Sequence, residues 1–170
     1  MTLRFLLFVL PIMALGLHSC GSKKEAKTSK DIGPQVMQLL NEMGDITKPE
    51  FSKFFITSEE LKELAESDVI DITEQQQIVM KTITKESMKD RYNFMFRRLK
   101  SKGRRVGVNW ERAKFVSFKH ETVDQGGIKI CNGVLKFKYS NREFVVETSS
   151  VFDGDIYLLT SVEGLRQVTD

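Results

Sequence analysis

The residues of this chain best suited to covalent chemistry are one histidine and one cysteine in its second half. The chain holds two of each, and only His120 and Cys131 lie beyond the first twenty residues. A histidine beside a cysteine can activate the thiol as a nucleophile. The alternative is structural, because cysteine is often fully buried and one histidine on a sheet is commonly a structural residue. His120 and Cys131 are therefore candidate catalytic residues, although a structural role is the ordinary expectation.

The single histidine and single cysteine of this part of the chain also limit which cofactors it could bind. One cysteine and one histidine do not supply the ligands of an ordinary zinc site, so no metal is expected. Gly126 and Gly127 stand between two predicted strands rather than before a helix, which indicates a turn and not a phosphate-binding loop. The sequence predicts no cofactor.

The segment from about residue 114 to 163 reads as four β-strands joined by short turns, and their register decides which side chains meet. A two-residue Ser140-Asn141 turn would place Tyr139 opposite Arg142 and Phe137 opposite Phe144. This pairing gathers apolar residues on one face, which supports the register.

The first hairpin is predicted to close through a four-residue turn, from Asp124 to Gly127. That turn would set His120 opposite Cys131 and Phe118 opposite Gly133. The histidine and the cysteine would then be direct neighbours on the face that the helices cover.

A small-molecule pocket between sheet and helices is the non-covalent hypothesis. A few polar groups among apolar walls are typical of such a site, and Tyr92 or Tyr157 could add a hydroxyl. Trp110 would either form the rim of the pocket or plug the core. The candidate pocket residues are His120, Cys131, Thr148, Ser150 and Trp110.

The opposite face of the sheet carries paired charges and three apolar residues, Ile128, Ile130 and Val134. These three are candidate interface residues for a homodimer or for a different protein partner. The alternative is that neighbouring side chains shield them.

Helical patterns precede the strands. Pro34 to Met43 reads as an amphipathic helix, and a shorter turn or helix follows from Pro49. Ser58 is predicted to cap the next helix. A long helix is predicted from about Thr73 to Gly103, with a weak centre over residues 82–84 where it could bend or divide.

Six basic residues lie between Arg97 and Arg105 without an intervening acid. An anionic-lipid or nucleic-acid patch is one interpretation, but no aromatic platform or known motif accompanies it. We expect a solvated helix end and no nucleic-acid binding, because cations are favoured at a helix C-terminus.

The first twenty residues combine an early basic residue with an apolar run from Phe5 to Leu17, the pattern of a secretory signal. Leu17-His18-Ser19-Cys20 resembles the lipobox of bacterial lipoproteins. The resemblance implies cleavage before Cys20 and attachment of acyl chains, including palmitate, to this residue, which would anchor the protein in a membrane. The chain then divides into a signal peptide (1–19), a flexible tether (20–32) and one domain (33–170).

Helices followed by an antiparallel meander resemble the cystatin-like superfamily, including nuclear-transport-factor-two-like domains. The resemblance covers roughly Phe51 to Val162 and includes the turn and strand Phe152-Asp153-Gly154-Asp155-Ile156-Tyr157. It implies an α+β fold with N-terminal helices packed on a curved four-stranded sheet. Such domains include enzymes, binding modules and assembly subunits, so the fold leaves the function open.

The first functional hypothesis is a lipid-anchored protein of the bacterial cell envelope that binds a ligand or a partner without catalysis. One alternative is an enzyme that uses His120 as general acid or base, and the other is a structural subunit that docks through the outer face of the sheet. The absence of an aspartate after Cys20 favours the outer membrane, by analogy with lipoprotein sorting.

Overall fold

The computed structural model describes residues 25–68 and 70–169, in which five α-helices precede a four-stranded antiparallel sheet. The predicted α+β class and the β1-β2-β3-β4 strand order of a meander are both confirmed. The helices are α1 (Ile32–Glu42), α2 (Lys48–Ser52), α3 (Ser58–Glu66), α4 (Glu74–Thr82) and α5 (Lys85–Arg105). The strands are β1 (Lys114–Gln125), β2 (Ile128–Tyr139), β3 (Arg142–Phe152) and β4 (Tyr157–Gln167).

Threonine caps set the starts of α2, α3, α4 and α5. Thr57, and not Ser58, is the N-cap of α3, because its side chain accepts from the backbone of Glu60. The predicted long helix divides at its weak centre, where Ile83 is extended and Thr84 caps α5. Helix α5 ends at Arg105, two residues beyond the predicted stop at Gly103.

The central hairpin has the predicted register. Tyr139 pairs with Arg142 and Phe137 with Phe144 across the Ser140-Asn141 turn. Ser140 adopts a φ of 54° there, a left-handed conformation that the tight turn imposes.

The predicted register of the first hairpin is wrong by two residues. Gly126 and Gly127 alone form its turn, with φ of 64° and 88°, as a type I′ turn requires. His120 therefore lies opposite Gly133, and Thr122 lies opposite Cys131. A shift of two residues keeps His120 and Cys131 on one face but removes their direct pairing.

Helix α1 covers the inner face of the sheet, and one phenylalanine fixes the contact. A Cβ on Gly33 of α1 would lie 2.6 Å from Phe118 Cβ, and a Cβ on Gly133 would lie 2.2 Å from Phe118 Cζ. Both distances are shorter than van der Waals contact. Two glycines therefore create the space that the Phe118 ring occupies between α1 and β2.

The folded domain begins earlier than predicted. Ala26 is fully buried, and its carbonyl oxygen accepts a 2.8 Å hydrogen bond from the Tyr157 amide at the start of β4. A 3-10 turn, Ser29–Asp31, leads from there into α1, whose Ile32 is also fully buried. The predicted tether therefore overlaps the domain from residue 26 onward, while residues 20–24 lie outside the described part.

Trp110 and Asn41 hold the segment between α5 and β1 in place. Trp110 keeps only 7% of its surface exposed, and its ring centroid lies 6.1 Å from that of Phe137. The side-chain amide of Asn41 donates toward the carbonyl oxygens of Trp110 (3.2 Å), Glu111 (3.3 Å) and Ala113 (3.2 Å). Helix α1 thus holds the Trp110 segment in place.

Gly103 should resist replacement although it lies in a helix. An alanine would gain up to about 1 kcal/mol of helix propensity, but its Cβ would lie 2.2 Å from Trp110 Cζ2. Overpacking of this kind costs about 1–3 kcal/mol. Because Trp110 is buried and held, we expect Gly103→Ala to lower the free energy of unfolding, measured by urea denaturation.

Gly44→Ala is the matched control, because its Cβ would come no closer than 3.3 Å to the end of the Glu111 side chain. A Gly103→Ala variant at least as stable as the wild type would contradict the packing described for Trp110.

Candidate functional site

The predicted catalytic pair is not assembled. His120 is exposed, and its ring stacks on Phe118 with centroids 5.3 Å apart. Cys131 is fully buried, and Thr122 rather than His120 faces it across the strands. His120 and Cys131 do not lie opposite each other because the first hairpin turns through Gly126 and Gly127 alone.

Burial also makes Cys131 a poor nucleophile. It raises the pKa of the Cys131 thiol above its usual value, although the hydrogen bond with Thr122 acts in the opposite direction. A raised pKa favours the protonated thiol, and the thiolate is the reactive form.

The other predicted pocket residues of the sheet also lie inside the packed domain. Thr148 keeps 4% of its surface, and its hydroxyl lies 3.4 Å from the carbonyl oxygen of Gly133. Ser150 is fully buried beside Cys131, and its hydroxyl has no hydrogen-bond partner among the described residues. Trp110 plugs the core and does not form a rim. Cys131, Thr148, Ser150 and Trp110 are therefore all buried in the described part of the domain.

The three predicted interface residues differ in exposure and do not form one open patch. Ile128 is partly buried and packs against the core, and Ile130 is also partly buried. Val134 is 37% exposed. Five other large apolar side chains are more exposed than Val134, namely Ile78, Val79, Phe94, Phe115 and Val116.

A shallow depression of about 670 Å³ lies over the middle of the sheet, and His120 reaches its border. Glu147 and Glu163 face each other across β3 and β4 within it, and Lys119 borders it. Most of the residues that line the depression are charged or polar, and Val134 is the large apolar residue among them.

A different concavity combines an apolar floor with a charged rim. It lies between α2, the α2–α3 connection and the first two turns of α5, with a volume of about 510 Å³. We call it the α2–α5 groove. Its floor consists of Pro49, Ile56, Met88 and Tyr92.

The floor is rigidly connected to the rest of the fold. The Tyr92 hydroxyl donates a 2.6 Å hydrogen bond to the Ile56 carbonyl oxygen. The Ile56 amide donates in turn to the carbonyl oxygen of Leu159 in β4, at 2.9 Å. Burial holds the pKa of the Tyr92 phenol above its usual value, so the hydroxyl stays protonated as a donor. Helix α5, the α2–α3 connection and the sheet are thus joined through one residue.

The rim of the α2–α5 groove is mainly cationic. Lys48, Lys85 and Lys89 line it, and all three are exposed. Glu59 is the acidic side chain of the lining. Its pKa is lowered chiefly by a hydrogen bond with its own backbone and another with Ser58, and more weakly by nearby lysines that include Lys85. The rim therefore carries three positive charges and one negative charge at neutral pH.

The described residues contain no group of three or more His, Cys, Asp or Glu side chains arranged to hold a metal ion. Within residues 25–68 and 70–169, no helix has the length and apolar character needed to cross a bilayer. Cys20, the predicted lipid attachment residue, lies outside these ranges.

Comparison with protein-family models, curated proteins and solved structures gives no significant match.

Sequence reasoning named Tyr92 as a pocket residue but missed the lysines of the groove. Lys48 lies 37 positions before Lys85, and only the packing of α2 beside α5 brings them to one opening. The local signal was limited to lysines near helix starts, which are common on any surface.

Cys131 should be protected from thiol reagents in the folded protein. In the full chain with Cys20→Ser, it is the only thiol. Native labelling at pH 8 should be at least about 100-fold slower than labelling in urea, because exposure requires an opening of roughly 3 kcal/mol or more. Labelling with a chromogenic disulfide measures both rates.

The control adds Cys131→Ser and Ser101→Cys to that chain, which moves the thiol to an exposed position on α5. It should react rapidly in both conditions. Equally rapid native labelling of Cys131 would restore the nucleophile hypothesis.

Proposed function

We propose that this chain is a lipid-anchored protein of the bacterial cell envelope that binds a small molecule without catalysing a reaction, and that the α2–α5 groove is its binding site. The observation that carries the proposal is the groove itself, whose volume of about 510 Å³ lies in the range of ligand sites. The burial of Cys131 and its separation from His120 argue against covalent chemistry.

The anchor rests on the Leu17-His18-Ser19-Cys20 motif, and the start of the fold adds a constraint. Ala26 already pairs with β4, so only six residue steps separate it from Cys20. Six steps span at most about 20 Å in any conformation. An acylated Cys20 would therefore hold the Ala26 end of the domain close to the bilayer, and the absence of aspartate after Cys20 favours the outer membrane.

Lipid attachment is tested by expressing the full chain in a bacterial host supplied with an alkyne analogue of palmitate. The wild type should incorporate the label and sediment with membranes, because multiple acyl chains anchor stably. Cys20→Ser should lose the label, whereas Ser22→Ala, two residues away, should keep it. A wild-type chain without label would contradict the anchor.

Binding in the groove is tested with a neutral apolar dye, N-phenyl-1-naphthylamine, whose fluorescence rises in apolar surroundings. The wild type should enhance the fluorescence. Asn93→Trp should reduce the enhancement, because Asn93 lines the groove and an indole would occupy part of its volume.

Ser101→Trp adds the same ring at an exposed position of the same helix and serves as the control. Enhancement that persists in Asn93→Trp, or that is absent from the wild type, would count against the groove as the binding site.

A further inference from the structure

We propose that the α2–α5 groove selects an amphipathic anion with a single apolar chain, its carboxylate or phosphate lying among Lys48, Lys85 and Lys89. This inference rests on the proposed function, since it names the ligand class of the same site. Four observations carry it: the net positive charge of the rim, the helix starts beside it, the occupied hydroxyl of the floor, and the connection of the floor to β4.

The three lysines of the rim give the opening of the groove a net positive charge. None of Lys48, Lys85 and Lys89 forms a salt bridge with a residue in 25–68 or 70–169. Glu59 compensates only one of the three charges. An anionic group would reduce this local excess, and a cationic group would increase it.

Two helix starts border the same opening. Thr57, Ser58 and Glu59 belong to the start of α3, and Lys85 is the first residue of α5. The N-terminal end of a helix carries a partial positive charge, which adds to the potential of the lysines. Glu59 and Glu60 in the first turn of α3, and Glu86 in that of α5, offset part of this charge, so the three ammonium groups supply most of the attraction for an anion.

The floor favours an apolar chain. The Tyr92 hydroxyl is already bonded to the Ile56 carbonyl oxygen, so both polar groups are satisfied before any ligand arrives. What remains for a ligand is the surface of Tyr92, Met88 and Pro49. A strongly polar ligand, such as a sugar, would lose hydrogen bonds to water there without replacement.

The floor of the groove is bonded to β4, the strand that also pairs with Ala26 near the predicted anchor. Ile56 in its floor is bonded to Leu159, and Leu159 is two residues along β4 from Tyr157, the partner of Ala26. Two residues of a strand span about 7 Å. An anionic amphiphile could therefore reach the groove either from the adjacent bilayer or as a free molecule.

The test uses the full chain with Cys20→Ser, so that no attached acyl group competes, and three probes with the same ten-carbon chain. Decanoate is anionic, decanol is neutral and decylamine is cationic at pH 7. Each probe is measured below its micelle concentration by displacement of N-phenyl-1-naphthylamine. Decanoate should bind roughly threefold to tenfold more tightly than decanol, as expected for exposed charge contacts, and decylamine should bind more weakly than decanol.

Lys85→Gln combined with Lys89→Gln should abolish the preference for decanoate over decanol. Lys129→Gln combined with Lys138→Gln changes the net charge equally at exposed positions of β2 and should preserve it. The preference should also shrink as salt is raised, because exposed charges are screened.

The outcomes separate the two proposals. Equal binding of decanoate and decanol would overturn the anion inference while leaving the binding function intact. If the wild type bound neither the dye nor any of the three probes, both proposals would be overturned. A preference retained by the Lys85/Lys89 double variant would also overturn the inference.

The source of the ligand is distinguished with vesicles. Sedimentation with phosphatidylcholine vesicles containing lysophosphatidic acid, an anionic lipid with one acyl chain, lost in the Lys85/Lys89 double variant, would identify a bilayer lipid. Binding of decanoate and decyl phosphate without such sedimentation would identify a free amphiphile. Either result supports the shared chemistry.

Discussion

The main chain of Ile56 holds the two halves of this fold together. Its carbonyl oxygen accepts from Tyr92 of α5 at 2.6 Å, and its amide donates to Leu159 of β4 at 2.9 Å. Leaving a buried backbone group unpaired costs about 1–3 kcal/mol, so both bonds constrain the connection strongly. Together with the ring contacts of Phe51 with Phe96 (5.4 Å) and of Phe55 with Tyr92 (4.8 Å), these bonds position α2 beside α5 and so form the α2–α5 groove.

The inner face of the sheet illustrates how packing decides between chemistry and structure. Cys131 and Ser150 are both fully buried, and Phe118 occupies the space between Gly33 and Gly133. A nucleophile needs access to a substrate and a partner that takes its proton. The same close packing that stabilises the domain therefore keeps Cys131 and Ser150 away from any substrate.

The early start of the domain links the sequence at Cys20 to the geometry of the groove. Because Ala26 already belongs to the sheet, an anchor at Cys20 would restrict the distance between domain and bilayer to about 20 Å. The basic end of α5 lies elsewhere: Lys100 donates to the carbonyl oxygen of Gly44, beyond the C-terminal end of α1, whereas Ala26 precedes its start. A lipid-anchored domain would therefore present the Ala26 end to the membrane, and the basic run would not lie beside the anchor.

The sequence by itself determined the class of the fold, the order of its elements and the register of the β2–β3 hairpin. These features depend on local signals, such as the Ser140-Asn141 turn and the alternation around Phe137. It also identified the Leu17-His18-Ser19-Cys20 motif. It named Tyr92 as a possible pocket residue and Trp110 as either a pocket rim or a core residue. A choice between two turn lengths at Gly126-Gly127 was enough to misplace His120, since sequence spacing alone did not settle the register.

Only the tertiary structure decided which residues share a site. Lys48, Tyr92 and Ile56 come from three separate elements, and their meeting depends on hydrogen bonds and packing between segments distant in sequence. Local propensity carries no information about such a meeting, because it reports the conformation of a segment and not its neighbours. For the same reason, only the assembled fold shows that Cys131 is buried and that the Trp110 ring packs directly against Gly103.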